Sequence, residues 1–228
     1  EHPRPTTATV WGVWAASPSD AWIVAGTPGG GLDAPNDLIF HWDGKAWAQE
    51  PLPGAPLGVS LNKIWGAGVN DVYAVGEAAT VWHRKGGSWT LESKPPVASS
   101  NLFSVSGCSA TEIYAVGGGD LIRSDGTSWS KVEGLTIAGT ADGVTCNAPG
   151  EVMIVGFGGM KQRLVDGKWI NEFKSKPFDA DFHGAWADGQ GAFWALGGDF
   201  LGPPVSGGVA RKATIGRWAA HPIAPVAF

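Results

Sequence analysis

The segment HWDGKAW, residues 41–47, decides the interpretation of this sequence because it recurs in altered form four more times. The other copies are HRKGGSW (83–89), RSDGTSW (123–129), RLVDGKW (163–169) and KATIGRW (212–218). Each copy closes on a tryptophan, and successive closing tryptophans lie 42, 40, 40 and 49 residues apart. A signature with a period of this size is typical of a fold built from repeated units.

A second, apolar signature that ends in glycine precedes every copy. It reads AWIVAG (21–26), DVYAVG (71–76), EIYAVG (112–117), EVMIVG (151–156) and AFWALG (192–197). With one more apolar stretch upstream, each repeat contains four short strands joined by polar turns, which is the composition of a propeller blade. We therefore predict an all-β fold, a five-bladed β-propeller with four antiparallel strands per blade. A β-sandwich is the alternative, but a sandwich does not require internal repetition.

The repeats predict one propeller domain that spans residues 1–228. Its blades are expected at approximately 8–53, 58–97, 99–137, 139–176 and 178–223. The chain would begin in an innermost strand and end after an outermost one. Closure of the ring would then depend on packing of the first blade against the fifth.

The repeat resembles the degenerate Asp-box (sialidase-type, or BNR) repeats of secreted bacterial propellers. RSDGTSW is the nearest match to the Ser-x-Asp-x-Gly-x-x-Trp box, although Gly126 directly follows Asp125, and two of the other copies lack the aspartate. In size and blade number the chain is also similar to the lectin tachylectin-2. The resemblance implies the architecture, and it favours a role in protein assembly because related repeats assist the assembly of other proteins.

Composition excludes some classes of partner. The net charge is −5 and the sequence has no block of lysine and arginine, so we expect no nucleic-acid binding. No apolar run approaches the roughly 20 residues of a membrane helix, so no membrane span is expected.

Cys108 and Cys146 either form a disulfide in an oxidising compartment or are two small buried thiols. We expect an extracellular or cell-envelope location.

The recurring signature itself is best explained by folding. Its Asp-Gly pair suits a tight hairpin with positive φ, and its tryptophan can wedge between blades. The role of the basic-type residue that opens each copy is open: it pairs with a turn carboxylate such as Asp43, Asp125 or Asp166, or it belongs to a ring of ligand contacts. These opening residues are His41, His83, Arg123, Arg163 and Lys212.

A ligand site is predicted where the repeats stop matching. The first and fifth repeats carry about eight extra residues, in TPGGGLDAPND (27–37) and GDFLGPPVSGG (198–208), and a closed ring would place these loops side by side. The alternative is that the loops only cover the junction between the first and fifth blades of the ring. The predicted ligand-binding residues of the loops are Asp33, Asn36, Asp37, Asp199 and Phe200.

A second set of candidates comes from aligning the inner strands. One column of that alignment contains Trp11, Asn62, Phe103, Asp142 and His183. Of these, Asp142 and His183 are predicted to bind ligand at the mouth of the central channel, where they could also hold a cation or ordered water. We expect no cofactor and no metal site, with a channel cation and a histidine site from His2 and His221 as the open exceptions.

Three functions are compatible with these observations. We favour a non-enzymatic binding module with a glycan ligand, because Trp, Asp and Asn side chains together suit sugars. The alternative is a platform for protein interaction or assembly. A glycoside hydrolase would need facing carboxylates, for which the candidates are Asp142, Asp181, Asp188, Asp199 and Glu77. No sequence spacing marks a catalytic pair, and no catalytic residue is predicted.

Overall fold

The computed structural model describes most of the chain. It covers residues 4–55, 57–92, 95–97, 101–137, 139–172, 181–199, 206–213 and 218–221, with the backbone alone at 199, 206–213 and 219–221. Phe200, which was predicted to bind ligand, and His2 lie outside the described residues.

Twenty strands form five antiparallel sheets of four, and in every sheet the strands follow each other in chain order. The first three sheets are β1 (Thr9–Ser17), β2 (Asp20–Gly26), β3 (Leu38–Trp42), β4 (Trp47–Gln49); β5 (Leu61–Gly68), β6 (Asp71–Gly76), β7 (Val81–Lys85), β8 (Ser88–Leu91); and β9 (Ser104–Ser109), β10 (Glu112–Gly117), β11 (Asp120–Ser124), β12 (Trp129–Lys131). The last two are β13 (Ala141–Ala148), β14 (Glu151–Gly156), β15 (Met160–Val165), β16 (Lys168–Asn171); and β17 (Phe182–Ala187), β18 (Ala192–Asp199), β19 (Ser206–Ala213), β20 (Ala219–His221). The all-β class and the four antiparallel strands per unit are confirmed.

Helical structure in the described residues is limited to three short 3-10 turns, at Gly31–Asp33, Glu77–Ala79 and Phe157–Gly159. Each follows the second strand of its sheet. We call the end of the molecule where these turns lie the loop face. The inner strands β1, β5, β9, β13 and β17 begin at this face, as the pairing of Thr9 with Gly26 and of Leu61 with Gly76 shows.

The second strand of each sheet is apolar on both faces because neighbouring sheets cover it on both sides. In β6 the residues from Val72 to Gly76 are all buried. The glycine that ends this strand is required by a close approach. A Cβ atom on Gly76 would collide with the carbonyl oxygen of Ser60, and one on Gly156 would collide with that of Thr140.

Successive sheets pack side by side through their inner strands. β1 packs on β5, β5 on β9, β9 on β13, and β13 on β17. The Trp14 ring covers Gly66 of the next sheet and the Trp65 ring covers Gly107, so closely that a Cβ on Gly66 would lie 2.6 Å from the Trp14 ring. Glycine at these positions admits the flat ring between two backbones.

Between the third and fourth sheets a covalent link crosses the same interface. Cys108 of β9 and Cys146 of β13 form a disulfide, with their Cα atoms 5.2 Å apart. Of the two alternatives for these cysteines, the structure has the disulfide.

The closing tryptophans lie between sheets, as the sequence suggested. Trp89 packs in the core between the first two sheets, and its Nε1 donates a hydrogen bond of 3.1 Å to Glu50 at the end of the first. Trp218 of the fifth sheet donates in the same way to Glu172 of the fourth, at 2.8 Å.

The pairing predicted for the basic-type residues is wrong in the first two sheets. His41 Nε2 lies 2.7 Å from Asp20, and His83 lies 2.7 Å from Asp71 and 2.9 Å from Glu92. The carboxylates come from strand ends: the turn of the second sheet has no carboxylate, and the turn carboxylate of the first is already occupied. Asp43, for example, accepts hydrogen bonds from the backbone N–H groups of Lys45 and Ala46, both at 2.8 Å.

The predicted packing of the first sheet on the fifth is not found through the inner strands, which the structure describes in full. β1 and β17 do not pack together as the other inner strands do. Val10 and Val13 of β1 are 43% and 64% exposed, whereas Leu61 and Ile64, their counterparts in β5, are 0% and 1% exposed. Further out on the same face, Ile23 is buried, so the exposure is confined to the inner strand. A closed ring of five blades stays a prediction.

Candidate functional site

The aligned column of inner-strand residues lies at irregularities of the strand pairing. The register shifts between Val10 and Gly12, Leu61 and Lys63, Ala141 and Gly143, and Phe182 and Gly184. The residues left unpaired at these shifts are Trp11, Asn62, Asp142 and His183. A bulge of this kind changes the direction of a side chain. Phe103 holds the corresponding position immediately before β9.

All five column residues line one cavity of about 350 Å³ at the loop face. The structure thus brings together the residues that the alignment placed in one column. Pro28, Lys63 and Glu77 contribute to the same wall. The cavity is within the size range of small-ligand pockets. The binding role of Asp142 and His183 stays a prediction.

Asp142 and His183 form a pair that bridges the fourth and fifth sheets. His183 Nδ1 and Asp142 Oδ2 are 3.0 Å apart, and the His183 ring also meets the edge of Phe157, with the ring centroids 5.4 Å apart. Burial raises the pKa of the Asp142 carboxyl, the hydrogen bond from His183 lowers it, and the charge of Asp181 raises it further. The pair presents a half-buried carboxylate and an imidazole to the cavity.

Two other column residues are held in place by backbone carbonyls. Asn62 Nδ2 donates to the Leu102 carbonyl at 2.9 Å, and Trp11 Nε1 donates to the Gly26 carbonyl at 3.1 Å. Trp11 is nevertheless 47% exposed. Its position is therefore fixed while about half of its surface remains open to contact.

Hydrogen bonds brace the loop at 27–37, and the ligand-binding role predicted for its residues stays a prediction. Asn36 Oδ1 accepts from the Thr27 N–H at 2.7 Å, and its Nδ2 donates to the Gly31 and Gly58 carbonyls. Asp37 Oδ2 accepts from the N–H groups of Leu57 and Gly58, at 2.9 and 2.7 Å, and Asp37 Oδ1 is buried. These bonds satisfy backbone groups that the loop would otherwise leave unpaired. Asp33 alone among the three predicted residues is exposed.

The loop is also attached to the second sheet. The Gly29 N–H donates to Glu77 Oε1 at 2.9 Å, so the loop is tied to the second sheet. The other insertion partly extends a hairpin, because Asp199 on β18 pairs with Ser206 on β19. The predicted cluster of Asp33, Asn36 and Asp37 with Asp199 stays a prediction, because the structure describes Asp199 by its backbone alone.

The carboxylates that were candidates for hydrolysis are mostly occupied by backbone groups. Glu77 accepts from Gly29 and Ser60, Asp181 from Gly158, and Asp188 from Gln190 and Ala192. These bonds stabilise turns at the ends of strands. Among the described residues, no group of three His, Cys, Asp or Glu side chains is arranged to hold a metal ion. No described helix is long and apolar enough to cross a membrane.

Sequence reasoning missed Lys63 and Pro28 as cavity residues. A signal for Lys63 was present, because the residue that follows the column position is glycine or serine in every other repeat: Gly12, Ser104, Gly143 and Gly184. Pro28 had no such signal, since its position depends on the hydrogen bonds that fold the loop against the second sheet.

Comparison with known proteins identifies the type of fold. No family model matches the chain, and no curated protein sequence matches it significantly. Solved structures do match. YCF48 bound to a D1 peptide is 18% identical with a TM-score of 0.64, over 94% of this chain and 68% of that one. Virginiamycin B lyase from Staphylococcus aureus is 13% identical with a TM-score of 0.70, over 96% and 86%. The WD40 repeats of RRP9 are 9% identical with a TM-score of 0.72, over 94% and 63%. The fold of this chain is that of a β-propeller.

Proposed function

We propose that the protein is a non-enzymatic binding module that holds a segment of a partner protein in the cavity at the loop face. The observation that carries this proposal is the convergence of five different side chains on one cavity of about 350 Å³. Trp11 and Phe103 supply apolar surface, and Asn62 with the Asp142–His183 pair supplies polar groups. A mostly apolar concavity with a few converging polar groups is the usual form of a binding site.

A peptide ligand has support from both the fold and the dimensions of the cavity. The similar protein YCF48 was solved with a peptide bound. A cavity of about 350 Å³ accommodates two or three side chains of an extended segment rather than a whole domain. The disulfide supports an extracellular or cell-envelope location, because disulfides persist in oxidising compartments.

A glycan is the second candidate, and Trp11 is the observation that favours it. Its indole is held by the Gly26 carbonyl while 47% of its surface remains exposed. A rigid, half-exposed aromatic ring next to an amide and a carboxylate is suited to stacking under a sugar. In this form the glycan site lies at the cavity and not on the loop at 27–37.

Parallel peptide and glycan arrays test the proposal with two matched variants. Trp11→Ala removes exposed cavity surface, and Asp33→Ala removes an exposed loop carboxylate outside the cavity. We expect peptide hits that Trp11→Ala abolishes and Asp33→Ala leaves unchanged. Hits on the glycan array alone, with the same response to the variants, would select the glycan. Hits that persist in Trp11→Ala and vanish in Asp33→Ala would move the site back to the loop, and silence on both arrays would refute the proposal.

A further inference from the structure

Lys63, at the cavity wall, differs from the residues at the equivalent position of the other four repeats. The corresponding residue is glycine in three of the other repeats and serine in the fourth. The position is the first regular strand residue after the bulge, where small side chains allow the next inner strand to approach. A Cβ on Gly12, for example, would lie 3.0 Å from the Lys63 Cα. A long charged side chain is therefore not a requirement of the blade.

The Lys63 ammonium has no partner among the described residues. It makes no hydrogen bond and no ion pair with them, although Lys63 as a residue is partly buried and lines the cavity. The two carboxylates of the cavity are occupied elsewhere, since Glu77 accepts from two backbone N–H groups and Asp142 is bonded to His183. Burial lowers the pKa of Lys63, and no nearby charge contributes to the shift.

A partly desolvated charge without a hydrogen-bond or ion-pair partner destabilises the folded protein. Packing, hydrogen bonding and ion pairing within the chain thus give no reason for a lysine at this position. The ammonium group of a lysine that lines a cavity can instead donate up to three hydrogen bonds to acceptors of a ligand. The fold provides the desolvation that makes such a bond strong.

We infer that Lys63 is the anion-binding residue of the cavity and that the bound segment presents a carboxylate to it. This inference rests on the proposed function and specifies its ligand, an acidic segment of a partner protein. The same wall carries the negative charges of Glu77 and Asp142, so a single carboxylate fits better than a run of acidic residues. The carboxylate is an acidic side chain or a free chain terminus.

The experiment compares peptides that differ only in charge. The probes are 15-residue array peptides with one glutamate and an amidated C-terminus, their amidated glutamine twins, and the same glutamine twins with a free C-terminus, all fluorescein-labelled. Affinities for wild-type protein, Lys63→Met and Lys63→Arg are measured by fluorescence anisotropy at two salt concentrations. Lys63→Met should fold, because the variant removes an unpaired charge and other repeats have no lysine here; its urea midpoint should equal or exceed that of the wild type.

We expect the tightest glutamate probe to bind Lys63→Met about 10- to 100-fold more weakly, the range for one charge-assisted hydrogen bond. Its glutamine twin should bind both proteins equally, and Lys63→Arg should retain most of the affinity. A preference for the free C-terminus instead of glutamate assigns the carboxylate to a chain terminus. Equal binding of charged and neutral probes, with loss of both in Trp11→Ala, would overturn the role of Lys63 and leave the proposed function standing. Absence of binding by every probe would overturn both.

Discussion

The disulfide between Cys108 and Cys146 should contribute a large part of the stability of this protein. The two cysteines are 38 residues apart, and cross-linking a loop of that length restricts the unfolded chain by about 4 kcal/mol in the chain-entropy model. Domains of this kind are stable by roughly 5–15 kcal/mol in total. Removal of the cross-link in Cys108→Ala/Cys146→Ala should therefore lower the free energy of unfolding by about 2–4 kcal/mol.

Urea unfolding followed by tryptophan fluorescence measures this change, with the wild-type protein in oxidising buffer and in dithiothreitol. The reduced wild type and the double variant should unfold at the same, lower midpoint. Dithiothreitol should leave the double variant unchanged, which controls for effects of the reductant. Equal free energies of unfolding for the oxidised and reduced wild type would refute the argument.

The position of the disulfide gives the prediction a local component. Trp14 and Trp65 cover glycines of the next sheet, but the third sheet has Ser106 where the second has Trp65. The disulfide lies at this interface, next to the position that lacks the aromatic ring. After reduction, hydrogen exchange should increase first in β9 and β13. Uniform acceleration across all five sheets would contradict a local role.

Three further predictions concern single side chains. Gly66→Ala should lower the free energy of unfolding by about 1–3 kcal/mol, because an added Cβ would lie 2.6 Å from the Trp14 ring, while Gly68→Ala, where an added Cβ meets no atom within 4 Å, should stay within about 0.5 kcal/mol in the same urea titration. Trp186 is 55% exposed, so Trp186→Ser should cost less than about 1 kcal/mol; a loss of about 3–5 kcal/mol, as for a buried tryptophan, would show that the first and fifth sheets close over it in solution. The hydrogen bond from the Thr127 hydroxyl, followed by backbone N–H groups, lowers the pKa of Asp125 to about 2. Because the folded-state pKa is depressed, the stabilisation is complete above the unfolded pKa of about 3.9 and is lost as the pH falls through the folded pKa, so the difference in Tm between wild type and Asp125→Ala should shrink as the pH falls from about 5 to about 2.

The sequence predicted the structural parts of the repeat because each of them must satisfy the same packing in every sheet. The glycine at the end of the second strand and the tryptophan that opens the fourth both follow from contacts between sheets. Gly76 avoids the Ser60 carbonyl, and Trp89 fills the space between the first two sheets. A residue required by such a contact recurs at a fixed spacing, and spacing is what sequence analysis detects.

The histidine pairs were missed although a sequence signal existed. In the first two repeats an aspartate stands at the start of the second strand, at Asp20 and Asp71. The antiparallel register then places this aspartate beside the histidine of the third strand, and Trp22 or Tyr73 stacks on the same imidazole. The turn carboxylate is nearer in sequence, but it is used by the N–H groups of its own turn. Proximity in sequence was the wrong criterion.

The path of the loop at 27–37 could not be predicted because it depends on bonds to segments far away in the chain. Asn36 and Asp37 bind the N–H and C=O groups of residues near Gly58, about 20 residues later, and Gly29 binds Glu77, 48 residues later. The presence of Asp and Asn predicts ligand groups because these residue types bind sugars. The same acceptors and donors serve equally well to satisfy buried backbone groups, and composition does not distinguish the two uses.

The column at the inner-strand bulges explains how one asymmetric site arises on a repeated scaffold. The residue before each bulge packs between sheets and is buried wherever a preceding sheet covers it, as at Leu61, Ala141 and Phe182. The side chain of the bulged residue does not pack between sheets, so the fold does not require the same residue type at this position in every repeat. Its identity accordingly differs in all five repeats, from indole to amide, phenyl, carboxylate and imidazole. Five equal sites would require five similar residues at this position, whereas these five different residues line one cavity whose wall differs chemically from side to side.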